Sequence, residues 1–158
     1  MSIQIQISRS LDVAPENRRS LRLLLQQAIR VALQSACSQE KATISLVLSD
    51  DAQLQELNRQ YLGIDAPTDV LSFPSGEIDP ETQQYYLGDV LISYPRAISQ
   101  ADAGGHPLEA EVQLLVVHGV LHLCGYDHGE PDEKAKMWQL QAEILRQLNS
   151  RILGPAGE

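Results

Sequence analysis

The stretch LEAEVQLLVVHGVLHLCGYDH, residues 108–128, decides the fold. Pro107 opens a helix, and Glu109 and Glu111 fall near its positive end. Leu114, Leu115, Val116, Val117, Val120 and Leu121 then make that helix apolar nearly all round. Such a helix belongs in the middle of a domain, so the rest of the chain must wrap it. The same helix carries His118 and His122, four residues apart and therefore one above the other on one face. Gly125 stands where a helix can end in a left-handed residue, and the turn can bring His128 back toward the first two rings.

Outward from this centre, the pattern alternates strand and helix. Ile3, Ile5 and Ile7 alternate as in a half-buried strand. Pro15 suits a first helical turn, and Leu21, Leu24, Leu25, Ala28 and Ala32 recur at helical spacing to about Ala36. Thr43 to Leu48 reads as a second strand; Ser49, Asp50 and Asp51 can cap a helix running to about Tyr61, with Leu54 and Leu57 facing inward. Two more strands are expected at Asp69 to Phe73 and Leu87 to Ser93. The breaker-rich stretch between them, Pro74 to Tyr85, is expected as a mobile functional loop. Tyr94 to Asp102 forms a short helix, and a last helix from Pro131 packs through Met137, Leu140, Ile144, Leu145 and Leu148. The order β-α-β-α-β-β-α-α-α predicts an α+β fold, a mixed four-stranded sheet packed with helices, with the histidine-bearing helix at its centre. There are no repeats. Residues 1–153 read as a single domain and 154–158 (Gly-Pro-Ala-Gly-Glu) as a flexible tail.

Charge and cysteine content narrow the classes of function. The 158 residues carry a formal charge of −9, which on its face disfavours nucleic acid. The charge is uneven, with a net of +1 over residues 1–59 and −10 over 60–158. Arg18, Arg19, Arg22 and Arg30 share one helix, either as a local basic stripe or as an ordinary solvated face. Cys37 and Cys124 are too few for a disulfide framework, and Cys37 is expected as a buried small hydrophobe. No apolar run approaches membrane-span length, and the N-terminus has no signal-peptide pattern, so a cytoplasmic location without a membrane partner is expected.

His118, His122 and His128 together offer three imidazoles, which leaves the fourth position of a tetrahedral zinc site open, as in a catalytic centre. One Zn2+ ion is expected. A closed structural zinc would need a fourth ligand. Cys124 points elsewhere on a continuing helix, while Asp127 is either that ligand or a group orienting an imidazole. His106, ahead of the Pro-started helix, reads as a loop residue. The spacing His-x3-His-x2-Gly-x2-His is also that of metzincin proteases, but Gly119 stands where the protease carries its glutamate base.

The histidine block resembles the signature of the YbeY family, bacterial single-strand-specific endoribonucleases of ribosomal RNA maturation. Two further blocks resemble it in order and separation: Pro67-Thr68-Asp69-Val70-Leu71-Ser72-Phe73-Pro74 and Leu87-Gly88-Asp89-Val90. The resemblance implies zinc ligands at His118, His122 and His128. It also implies single-stranded RNA as substrate, at the 3′ end of the small-subunit ribosomal RNA precursor, with a role in ribosome quality control. The partners implied are the ribosomal subunit or assembly proteins, not DNA. Asp69 and Asp89 either position groups around the cleft or serve structurally, at a strand start and in a Gly-Asp turn. The family pattern Leu-Asn-x-x-Tyr-Arg-Gly is met by Leu57-Asn58-Arg59-Gln60-Tyr61-Leu62-Gly63, with Leu62 at the arginine position. Arg59, three residues earlier on a neighbouring helical face, is either a substitute for that phosphate contact or an ordinary surface residue. Two rivals share the triad: a zinc peptidase or amidohydrolase, and a non-enzymatic ribosome-assembly factor with a structural zinc.

Overall fold

Alternation of isoleucine with polar residues puts one row of side chains inward, and Ser2–Ile7 forms the first strand, β1. The structure, a computed structural model, describes residues 2–37 and 41–150. The expected tail and the domain end at residue 153 lie outside the described residues. Helix α1 (Pro15–Ala36) starts on Pro15 and buries Leu25, Ala28, Ile29, Ala32 and Leu33. Strand β2 (Ala42–Ser49) leads into helix α2 (Asp51–Leu62), whose first turn is capped by the Asp50 carboxylate accepting from the Gln53 amide. Strands β3 (Val70–Ile78) and β4 (Tyr85–Ser93) follow, then helices α3 (Tyr94–Gly104), α4 (Leu108–Leu123) and α5 (Pro131–Gln147).

The sheet order is β1-β2-β4-β3. β1 pairs β2 and β2 pairs β4 in parallel, while β3 pairs β4 antiparallel. Parallel neighbours need a long crossover, and α1 supplies it between β1 and β2. Every residue of α4 from Ala110 to Leu121 is buried, Glu111, Gln113 and His118 included, as a helix apolar nearly all round requires. One face of the sheet meets α4, through Val90 and Ile92 of β4. On the other face, Leu54 of α2 packs against Leu71 and Leu91. The single-domain mixed α+β architecture is as the sequence predicts.

The segment expected as a loop from Pro74 to Tyr85 is instead mostly hairpin. β3 runs on through Pro74 and Gly76 to Ile78, and β4 begins at Tyr85. The breakers are tolerated because β3 is an edge strand, where a proline forfeits no ladder bond on its open side. The pairing slips between Pro74 and Glu77, so the irregularity becomes a bulge. Opposite it, Gly88 has φ +137°, and a Cβ there would lie 2.1 Å from the Phe73 carbonyl oxygen.

Two of the four α1 arginines are structural. Arg18 donates to the carbonyls of Val13, Ser8 and Leu11 at 3.0, 3.1 and 2.6 Å, and Arg22 to that of Ile5 at 2.6 Å. They clasp the chain between β1 and α1, at the sheet edge opposite β3. Cys37 lies just past α1, partly buried rather than buried within the helix. Its thiol neighbours that of Cys124, whose pKa burial pushes up to about 12, with the Cys37 charge and hydrogen bond adding to the rise.

Helix α4 reaches the sheet at Gly119. A Cβ there would lie 2.6 Å from Val90 Cγ1, 3.3 Å from Val70 Cγ2 and 3.4 Å from Ser72 Oγ. Gly119→Ala gains helix propensity but must displace a fully buried, χ1-stiff valine. The expected net result is a destabilisation of about 1–3 kcal/mol, read as a lower urea midpoint at unchanged m-value.

Candidate metal centre

The i, i+4 spacing on α4 stacks His118 and His122, with their Nε2 atoms 3.2 Å apart. After Leu123 the chain turns through Gly125, at φ +98°. The Tyr126 amide returns to the Leu121 carbonyl at 3.0 Å, which closes the helix end. His128 is thereby carried back over the pair, its ring centroid 5.5 Å from that of His118 and 5.1 Å from that of His122. One ligand atom from each of the three lies within 4.8 Å of the others, close enough to hold one metal ion. The cleft in front of them measures about 540 Å³ and is walled by Leu62, Asp69, Ser72, Pro74 and Asp127 among others.

Hydrogen bonds on the far side of the His118 and His122 rings fit the site to a cation. His122 Nδ1 lies 3.0 Å from the Tyr126 carbonyl oxygen, which can only accept. The proton therefore sits on Nδ1, and Nε2 turns a lone pair toward the cleft. His118 Nδ1 likewise meets Gln141 Oε1 at 3.0 Å. Two lone pairs facing each other at 3.2 Å repel unless an electrophile lies between them. Burial lowers the pKa of both rings, and the neighbouring histidine charges lower it further. Neutral imidazole with a fixed tautomer is the form that binds a metal, so the residues fit one. Trp138 of α5 packs beside the triad, its ring 5.6 Å from His118 and 5.4 Å from His128.

The other expected residues divide. Asp69 lines the cleft, and its carboxylate accepts from Gln100 Nε2 at 3.2 Å. Asp89 does not, because alternation along β4 puts Val90 on the α4 face and Asp89 on the other, where it accepts from the Tyr86 hydroxyl. Arg59 is also elsewhere. Its guanidinium is held by the Glu56 carboxylate, with Nε to Oε2 at 3.1 Å, and the family's arginine position is occupied in the cleft wall by Leu62 itself. Among the described residues that line the cleft there is no lysine or arginine. Asp127 takes the His128 backbone amide at 2.7 Å, which spends one carboxylate oxygen on the turn. His106 lies before α4, where its Nε2 meets Glu111 Oε2 at 3.0 Å.

Gln141 and Asn58 are the contributors that sequence reasoning passed over. Asn58, buried, donates to the Ala66 carbonyl at 3.1 Å and fastens the loop that leads from Leu62 to Asp69. Gln141 gave one sequence signal, an amide on the apolar stripe of α5 beside Met137 and Ile144.

Two outcomes test this geometry. Trp138 is the only tryptophan in the chain, so titrating the metal-free protein with Zn2+ should change its fluorescence and saturate at one ion per chain. The pH dependence has a definite sign. With His118 and His122 depressed below 6.5, the unfolded chain binds more protons than the folded one below that pH. The metal-free protein should therefore lose thermal stability as pH falls below about 6.5 and hold it above, measured by melts in chelator.

A model of the family described as Endoribonuclease YbeY matches residues 6–149 of this chain. The Endoribonuclease YbeY of Desulfitobacterium hafniense is 46% identical over 144 residues, which span 87% of this chain and 92% of that protein. That of Halalkalibacterium halodurans is 42% identical over 154 residues, 92% of this chain and 95% of that protein. Among solved structures, the solution structure of TM1509 from Thermotoga maritima superposes with a TM-score of 0.56 over 99% of both chains at 22% identity, and so shares the fold. With the family model spanning nearly all of the described fold and relatives this similar along their whole length, the chain belongs to the Endoribonuclease YbeY family.

Proposed function

We propose that this protein is a zinc-dependent, single-strand-specific endoribonuclease of the cytoplasm that matures the 3′ end of small-subunit ribosomal RNA. It would act on the ribosomal subunit or with assembly proteins, and take part in ribosome quality control. The observation that carries the reading is the convergence of three imidazole nitrogens at the floor of an open cleft, on a chain whose relatives are named endoribonucleases. No described helix is long and apolar enough to cross a membrane, which is compatible with that location.

His118, His122 and His128 would hold the ion. When bound, zinc supplies Lewis acidity toward water and toward a phosphate oxygen. The protein's own groups do the rest. Gln141 and the Tyr126 carbonyl keep the Nδ1 protons in place, so the ligating nitrogens stay unprotonated at neutral pH. Asp69 presents a carboxylate oxygen at the cleft wall that can accept a hydrogen bond from a ribose hydroxyl or a water. Arg59 takes no part in this reading, since it does not line the cleft. Peptide chemistry is disfavoured at the residue following His118, where a glutamate base could not fit between α4 and the sheet.

The test is cleavage of single-stranded RNA, with double-stranded RNA, single-stranded DNA and a peptide panel run beside it. His122→Ala should lower single-strand cleavage by at least about 10²-fold, as removal of a principal electrostatic group does. Chelation should abolish activity and zinc should restore it. Undiminished cleavage by fully metal-depleted protein would falsify the zinc dependence. Asp69→Asn should reduce turnover with unchanged zinc content.

A further inference from the structure

Leu62 stands in the cleft wall, and none of the described lining residues carries a lysine or arginine charge. A polyanionic strand crossing the cleft would then meet Asp69 and Asp127 as its fixed charges. Helix α5 links one cation to the histidines through its tryptophan. Lys134 stands one helical turn before Trp138, and its ammonium lies 5.7 Å from the centroid of that ring. The same indole is 5.4 Å from His128 and 5.6 Å from His118. Among the described ion pairs none engages Lys134, whereas Arg59 and Arg96 are each held by a carboxylate.

We infer that Lys134 is a phosphate-contacting residue at the α5 rim of the metal cleft, held in place by the face of Trp138, and that it supplies a cation that the cleft lining lacks. The inference rests on the RNA-cleaving function proposed above. Stacking on the indole restricts the long lysine stem to the side of the helix that faces the histidines. From there its ammonium can meet a phosphate next to the one at the metal. Glu130, Asp132 and Glu133 lie near it in sequence and oppose long-range attraction, so Lys134 acts at short range only. Lysine suits this place as a compact point charge on a flexible stem.

The experiment measures binding of a single-stranded oligoribonucleotide to the zinc-loaded protein across a salt series, with cleavage rates in parallel. Removing one lysine–phosphate interaction with a single strand should flatten the slope of log K against log salt by about 0.7. Lys134→Ala and Lys134→Gln should both show that flattening and raise KM several-fold, with zinc content and melting temperature unchanged. Lys134→Arg should restore the slope. Lys136→Ala, on the same helix but away from the indole, should leave slope and rate at the wild-type value. Lys134→Ala or Lys134→Gln with a wild-type salt slope would overturn the inference while leaving the nuclease reading intact. A wild-type protein that neither binds nor cleaves the RNA would overturn both.

Discussion

Helix α4 rests on β3 and β4 through Gly119, a residue with no side chain, and most of the site follows from that contact. Because Val90, Val70 and Ser72 occupy the space a Cβ would need, the helix axis comes close to the sheet. The Ser72 hydroxyl then reaches the Gly119 carbonyl at 3.1 Å and ties the strand to the helix. With position 119 pressed on the sheet, His118 and His122 border the open cleft beside β3 instead of being sealed in the core. The third histidine is placed by the turn at Gly125, and that turn also aims the Tyr126 carbonyl at His122. One packing contact and one left-handed residue thus set the whole first row of groups.

The electrostatics of the cleft are unusual for a protein that handles a phosphodiester. The chain is strongly acidic, two of its α1 arginines are consumed as clasps on backbone carbonyls, and Arg59 and Arg96 are paired with carboxylates. Within the described cleft lining no side chain is a lysine or arginine, so positive charge there would come from an ion held by the triad, with Lys134 at the rim. That makes the buried tautomer control by Gln141 and Tyr126 more than a refinement. Without neutral, correctly turned imidazoles the cleft would have no electrophile at all.

Much of this was legible in the sequence. The apolar run through α4, the strand alternation in β1 and the helix periods gave element order and sheet class, because each depends on local burial pattern. The histidine triad was legible because helical spacing and one glycine fix its geometry. The hairpin was not, since Pro74 and Gly76 read as breakers unless β3 is known to be an edge, which only the sheet order reveals. The two readings of Asp89 stayed open for a similar reason: period-2 alternation assigns its face only once a neighbour is known to meet α4. Arg59 looked available because a sequence shows the arginine without showing which nearby carboxylate reaches it. Gln141 comes from a helix 23 residues beyond His118, a distance over which no local pattern carries information.

The edge strand has a further consequence. An open edge with free amides and carbonyls invites another strand, and β3 lies beside the cleft. Pro74 lacks the amide that such a partner would use, and the bulge between Pro74 and Glu77 breaks the even spacing a ladder requires. Both features discourage a polypeptide strand from adding along the Pro74–Glu77 part of this border, beside a groove that stays open.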